Sequence, residues 1–167
     1  MYQFSAYLHL MAAVVWLGGL LFIAMVLVPI ARGTTEPPGV AARLLSVAAR
    51  RFRIIGWAAL LVLVGTGVWN LLARGVSPLE VFTGGGWFIQ TLRVKGALVT
   101  AVLALSALHD FLVGPRLARR LEALRGPPAA DSSIARRRRV VSWLARLNML
   151  LALAIAALGA LLVRGIP

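Results

Sequence analysis

The sequence predicts an all-α integral membrane protein, a bundle of four helices that cross the bilayer with both chain ends outside. Hydrophobic residues fill 60% of the 167 positions, and the mean hydropathy is +0.89, whereas a soluble domain is about 45–50% apolar. Four apolar runs alternate with charged connections, and each run can cross about 30 Å of hydrocarbon. We therefore expect one membrane domain over residues 1–167, with spans near 4–30, 54–73, 92–113 and 140–163.

The first span is the best defined of the four, and the third is the least. Met1–Ala31 contains no charged residue, and no Lys or Arg precedes the apolar run as it would in a signal peptide. We expect this segment to be retained. The third span has a charge-free stretch of only Gly96–His109, so it crosses only if Arg93 and Lys95 extend outward to the headgroups.

The sequences between the predicted spans indicate turns and segments that lie at the membrane interface. Residues 33–39 carry a turn pattern, and residues 40–53 form a basic amphipathic stretch that is expected to lie in the headgroups. The second connection ends in Gly84–Gly86, followed by Trp87 and Phe88, which suit the membrane interface. The third contains the basic run Arg136–Arg139. That run could bind nucleic acid or anionic lipid, but its position beside a span favours a topology anchor.

The distribution of positive charge predicts the orientation. Thirteen arginines lie in the connections after spans one and three, against four basic residues in the second connection, at Lys95 and in the C-terminal tail. Loops rich in Lys and Arg stay in the cytoplasm, so both termini are expected outside. We predict a multi-pass protein of a prokaryotic plasma (inner) membrane. Its expected partners are membrane lipid and a second copy or a membrane complex, with no nucleic acid.

Small residues predict where helices approach one another. They recur at four-residue spacing at Ala97 and Ala101, and again at Ala152, Ala156 and Ala160. Such repeats permit close helix contact in lipid. With no cysteine in the chain, disulfides and thiolate metal sites are excluded.

Ionisable residues within the spans fall into two layers. At 1.5 Å per residue, His9 and Lys95 lie about 4–7 Å inside the outer boundary. His109 and Asp110 lie within about 6 Å of the inner boundary, near the start of span four. Because the layers are more than about 15 Å apart, His9 and His109 cannot ligate one haem or metal ion.

The outer layer allows several interpretations. His9 and Lys95 could be axial ligands of one haem, or could hold an anionic group such as a propionate. Alternatively, His9 is a packing residue that is hydrogen-bonded to a backbone carbonyl or to Asn70, and Lys95 is an anchor at the membrane interface. Trp16 lies on the same face as His9 and could wall a flat ligand or pack.

The inner layer favours a structural role. Asp110 could pair with Arg146, with Asn148 nearby, since an unpaired charge there would be costly. A proton relay through His109 is not expected because the middle of the spans offers few polar groups. Thioethers suit copper, but the spacing of the methionines indicates packing: Met11 lies about 200° around the helix from His9.

The segment His9–Leu20, with its histidine followed by Trp16, Gly18 and Gly19, resembles the CopD-like membrane domain associated with copper resistance, and also the related HemJ family. Further matches follow in order along the chain: Arg51-Phe52, Gly65-Thr66-Gly67, Lys95 and Pro115-Arg116-Leu117. Together these motifs cover nearly the whole chain, and the resemblance rests on their order.

The resemblance implies different functions for the two branches. The HemJ branch implies a haem b enzyme that oxidises protoporphyrinogen IX, with a first-helix histidine and a third-helix lysine that match His9 and Lys95. This chain departs from that pattern at Leu21–Val28 and at Arg93-Val94, so an oxidoreductase is implied only if it is HemJ-like. The CopD branch implies copper handling. We predict haem b or a copper ion at His9, assisted by Lys95, Trp16 or Asn70, with a cofactor-free subunit of a membrane complex as the third alternative.

Overall fold

The computed structural model describes residues 1–33, 38–113 and 132–164, and all regular structure within these ranges is helical. In the described part of the chain, four helical segments are long and apolar enough to cross a membrane: Tyr2–Ala31, Arg43–Leu72, Trp87–Leu112 and Ser142–Val163. The prediction of an all-α chain with four candidate spans is thereby confirmed. The Pro115-Arg116-Leu117 motif and most of the predicted turn at 33–39 lie outside the described residues.

The chain forms two compact units, Met1–Gly84 and Gly85–Pro167. Each unit contains two of the candidate spans. In the first unit the helices are α1 (Tyr2–Phe22), a π-helical segment (Ile23–Leu27), α2 (Val28–Gly33), α3 (Pro38–Leu72) and the short α4 (Pro78–Thr83). In the second unit they are α5 (Trp87–Ala107), a second π-helical segment (Leu108–Val113) and α6 (Ser132–Arg164).

In the first unit, α1 and α3 pack as an antiparallel pair. His9 contacts Thr66, and Arg74, just beyond α3, donates through Nε to the Tyr2 hydroxyl over 2.9 Å. Ser5, Ala12 and Trp16 are the buried residues of α1, and all three share the face that carries His9. This register places the start of α1 beside the end of α3.

At Gly19, α1 packs tightly against Phe52 of α3. A Cβ atom built on Gly19 would overlap the Phe52 ring, whereas one on Gly18 would meet nothing within 4 Å. The Phe52 ring also lies over Gly56, where a Cβ would be 3.6 Å from its Cε1 atom. Of the two adjacent glycines, therefore, only Gly19 is required by the packing of this pair.

In the second unit, α5 and α6 also run antiparallel. A Cβ on Gly159 would lie 3.4 Å from the Lys95 ammonium nitrogen, and Ser106 donates to Asn148 over 3.4 Å at the other end. Val102 and Ala152 are buried between these contacts. Of the small residues expected at helix contacts, Ala152 is buried, whereas Ala97, Ala156 and Ala160 are exposed.

The second helix of each unit is longer than a span requires. α3 has 35 residues and α6 has 33, so each measures about 50 Å at 1.5 Å per residue. The amphipathic segment predicted at 40–53 is the first part of α3, and Arg136–Arg139 is the first part of α6. In these segments Arg43, Arg50, Arg51, Arg136 and Arg139 are exposed, and Arg53 is half-buried.

Large apolar side chains cover the outside of these helices. Val14 and Val15 on α1, and Leu61 and Val68 on α3, are all exposed. Soluble proteins rarely expose extended apolar surfaces, and in a bilayer such side chains face the lipid. The surface is thus typical of helices that contact a membrane.

Candidate cofactor site in the first unit

His9 is the centre of the candidate site. Its side chain is half-buried on the face of α1 that packs against α3, and its Nδ1 atom lies 2.8 Å from the Thr66 hydroxyl oxygen. On the other side of this contact, a Cβ on Gly67 would lie 3.5 Å from the His9 Cε1 atom. The imidazole therefore lies against α3 at Gly67, where an added Cβ would make an ordinary van der Waals contact with it.

The Thr66 contact determines which nitrogen of His9 is basic. Thr66 donates its single hydroxyl proton to the Val62 carbonyl over 2.6 Å, a bond to the preceding turn that threonine often makes in helices. The hydroxyl oxygen can therefore only accept from His9, so Nδ1 carries the proton. In the neutral imidazole Nε2 then holds the lone pair, which is the arrangement found when histidine ligates a metal.

Two further polar side chains lie one helical turn from this contact. Ser5 precedes His9 by four residues, and Asn70 follows Thr66 by four, so each shares the face of its neighbour. Ser5 is 8% exposed. Its Oγ atom and the Oδ1 atom of Asn70 are buried and have no hydrogen-bond partner among the described residues. We call Ser5, His9, Thr66 and Asn70 the polar layer.

Unsatisfied buried oxygens need a physical explanation. Leaving such a group without a partner costs about 1–3 kcal/mol, and native structures contain few of them. The antiparallel register brings Ser5 and Asn70 to the same end of the helix pair as His9. The polar layer therefore combines a basic nitrogen with two oxygen acceptors that are suited to a cation or a hydrogen-bond donor.

Of the other residues predicted for the site, Trp16 lies in the first unit and Lys95 in the second. Trp16 is buried two helical turns from His9, where its Cδ1 atom would be 3.8 Å from a Cβ on Gly56. It thus packs in the core of the first unit. Lys95 belongs to the second unit, half-buried over Gly159. Lys95 is eight residues into α5, about 12 Å from the helix start. It lies further from the helix start than predicted because α5 begins five residues before the predicted span.

The predicted inner layer also lies in the second unit. His109 Nδ1 and Asp110 Oδ1 are 2.8 Å apart, within the π-helical segment. Asn148 accepts from Ser106, and the Arg146 guanidinium lies 5.3 Å from the Trp143 ring centroid. The pairing of Asp110 with Arg146 stays a prediction.

Two members of the polar layer were not predicted as site residues. Thr66 was identified only as part of the Gly65-Thr66-Gly67 motif, and Ser5 was not identified, since a serine near a helix end carries no distinctive pattern. A signal was available, because Ser5 and His9, like Thr66 and Asn70, are four residues apart and so share a helix face. Only the helix pairing brings the two faces together.

The described residues limit the metal sites that the chain can offer. In residues 1–33, 38–113 and 132–164 no group of three or more His, Cys, Asp or Glu side chains could hold a metal ion. A metal at His9 would therefore use hydroxyl or amide oxygens, or belong to a prosthetic group. Comparison of the chain with protein-family models, curated proteins and solved structures gave no match.

Proposed function

We propose that this chain is a CopD-like integral membrane protein that binds haem b or a copper ion through Nε2 of His9, with a role in copper handling or membrane redox. The observation that carries the proposal is the bond between His9 Nδ1 and the Thr66 hydroxyl, which fixes the imidazole against α3 and assigns the proton to Nδ1. An ionisable group within a span is costly and is often functional. The polar layer gives this histidine a setting in which a ligand is stabilised.

Lys95 belongs to the same proposal as an assisting residue. Counted within their own helices, His9 lies about 10 Å from the first residue of α1, and Lys95 about 12 Å from the first residue of α5. Lys95 is included because the resemblance implies a third-helix lysine beside a first-helix histidine. Lys95→Met should then weaken cofactor retention, and full retention would remove Lys95 from the site.

We further propose that the four spans form one bundle in a prokaryotic plasma membrane with both termini outside. The thirteen arginines of the first and third connections support this orientation. The chain has no cysteine, so single cysteines can be introduced for labelling with a membrane-impermeant reagent. Cysteines at Gln3 and Ile166 should react in intact cells, and one at Ala130 only after lysis. The reverse pattern would invert the topology.

The first test is an absorption spectrum of the detergent-purified protein, oxidised and dithionite-reduced, with metal analysis of the same sample. A Soret band with reduced α and β bands would establish haem, and stoichiometric copper without a Soret band would establish a copper protein. A colourless sample without copper would contradict the proposal and favour a structural subunit of a membrane complex.

If haem is found, the HemJ-like alternative becomes testable. Membranes of an oxidase-deficient host that express this chain should then oxidise protoporphyrinogen IX. Failure to complement would leave a haem-binding role without the oxidase activity.

A further inference from the structure

We infer that α4 is an interfacial anchor, with the side chains of Leu79 and Phe82 inserted among the phospholipid acyl chains of the outer leaflet. This inference rests on the proposed membrane topology and adds a lipid-contact surface outside the four spans. It starts from two exposed apolar side chains, since Leu79 is 70% exposed and Phe82 is 78% exposed. Because they are three residues apart, they lie on the same face of α4.

The residues at the end of α3 mark the membrane interface. Trp69 is exposed, and the Arg74 guanidinium donates to the hydroxyl of Tyr2 on α1. Trp and Tyr concentrate at the membrane interface, and long arginine side chains reach the headgroups there. In the proposed topology, therefore, Arg74 lies in the headgroup region of the outer leaflet.

A tight turn keeps α4 at this level. Gly75 has a φ of 77°, and the Val76 amide donates to the Leu71 carbonyl over 3.2 Å, a pattern that commonly ends a helix at a glycine. The first residue of α4 is Pro78, which follows Arg74 by only four positions. The short helix therefore begins within the interface rather than away from it in water.

The polar groups of α4 are bonded within the segment itself. The Glu80 amide donates to the Ser77 hydroxyl over 3.1 Å, and the Ser77 amide donates to the Glu80 carboxylate over 3.2 Å. The Thr83 hydroxyl donates to the Leu79 carbonyl over 3.0 Å. At the end of the helix, the Gly84 amide donates to the Glu80 carbonyl over 2.8 Å. Backbone groups near hydrocarbon need partners within the protein, so these bonds suit α4 to the interface.

The sides of α4 differ in character. At 100° per residue, Glu80 lies about 100° from Leu79 and about 160° from Phe82, so its carboxylate can stay in the headgroups while both apolar side chains enter the acyl region. Val81 lies about 200° from Leu79 and is half-buried, so it is not part of the lipid face. Two side chains are too few for a stable protein interface, which needs about 800 Å² per partner, whereas lipid requires no such area.

The experiment uses single cysteines, since the chain has none. The full-length variants Leu79→Cys, Glu80→Cys, Phe82→Cys and Leu61→Cys each carry one nitroxide spin label and are reconstituted into liposomes of phosphatidylcholine and phosphatidylglycerol. Electron paramagnetic resonance then compares collisions with oxygen, which partitions into hydrocarbon, and with a water-soluble nickel chelate. All four side chains are exposed, so the labels should leave the packing undisturbed.

The expected result is an alternation of lipid and water contact along α4. The labels at Leu79 and Phe82 should collide more with oxygen than with nickel and lie about 5–10 Å inside the boundary between headgroups and acyl chains. The label at Glu80 should collide more with nickel. Leu61 lies on α3, eleven residues before its last residue, Leu72, so its label should lie about 16 Å from that end. It is the control for insertion of the first unit and should be the deepest label.

The outcomes separate this inference from the proposed function. More collisions with nickel than with oxygen at Leu79 or Phe82, with the Leu61 label in lipid, would overturn the inference and leave the membrane topology standing. Poor access of both reagents to either α4 label would also overturn it, because a protein partner or a second copy would then cover this face. A Leu61 label in contact with water would overturn both the inference and the topology.

Discussion

His9→Ala is expected to abolish retention of haem or copper, whereas His109→Ala should leave retention largely intact. The alanine removes the one imidazole of the polar layer, and the remaining donors of that layer are uncharged oxygens. His109 contacts Asp110 in the second unit and is assigned no part in the site. The ratio of Soret absorbance or bound copper to protein, measured on both purified variants, checks this prediction.

Thr66 variants refine this result. Thr66→Val removes the oxygen that accepts from His9 Nδ1, so the imidazole loses its fixed tautomer and affinity should fall about 10–100-fold, as for other partners of ligating histidines. Thr66→Ser keeps the hydroxyl and should retain most of the affinity. Equal losses in His9→Ala and His109→Ala, or wild-type binding by Thr66→Val, would contradict the assignment of the site to the first unit.

The second large effect is expected on stability, at Gly19. Gly19→Val should lower the free energy of unfolding by about 1–3 kcal/mol, the usual cost of overpacking. A side chain there overlaps the Phe52 ring, so the ring or the helix pair has to shift. Unfolding by SDS in mixed micelles, followed by circular dichroism, measures this loss.

Gly18→Val is the matched control for this prediction. It introduces the same side chain one residue earlier, where nothing lies within 4 Å of the added Cβ, so any difference between the two variants reports the contact with α3. Phe52→Ala combined with Gly19→Val should recover part of the loss, because the ring that collides is gone, and a double-mutant cycle gives the coupling. Equal stability of the two valine variants would refute the close approach.

Much of the architecture could be predicted from the sequence. The four apolar runs and the charged connections between them predicted the four candidate spans, because crossing hydrocarbon requires length and low polarity, and both are local properties. His9 was identified for the same kind of reason: an ionisable residue inside an apolar run stands out. The helix boundaries were harder. The second span was predicted to begin after Arg53, whereas α3 begins at Pro38 and continues through it, and α5 begins at Trp87, five residues before the predicted third span.

The sequence by itself determined the number of candidate spans and their approximate limits, and it singled out His9 as an ionisable residue within an apolar run. The tertiary structure decided which side of each helix faces its partner. α1 is apolar on nearly every side, so it has no hydrophobic stripe that would fix its rotation. Packing fixes that rotation instead. It directs Gly19 rather than Gly18 toward Phe52 and brings Thr66 to His9, because contacts between helices depend on shape at residues far apart in the chain.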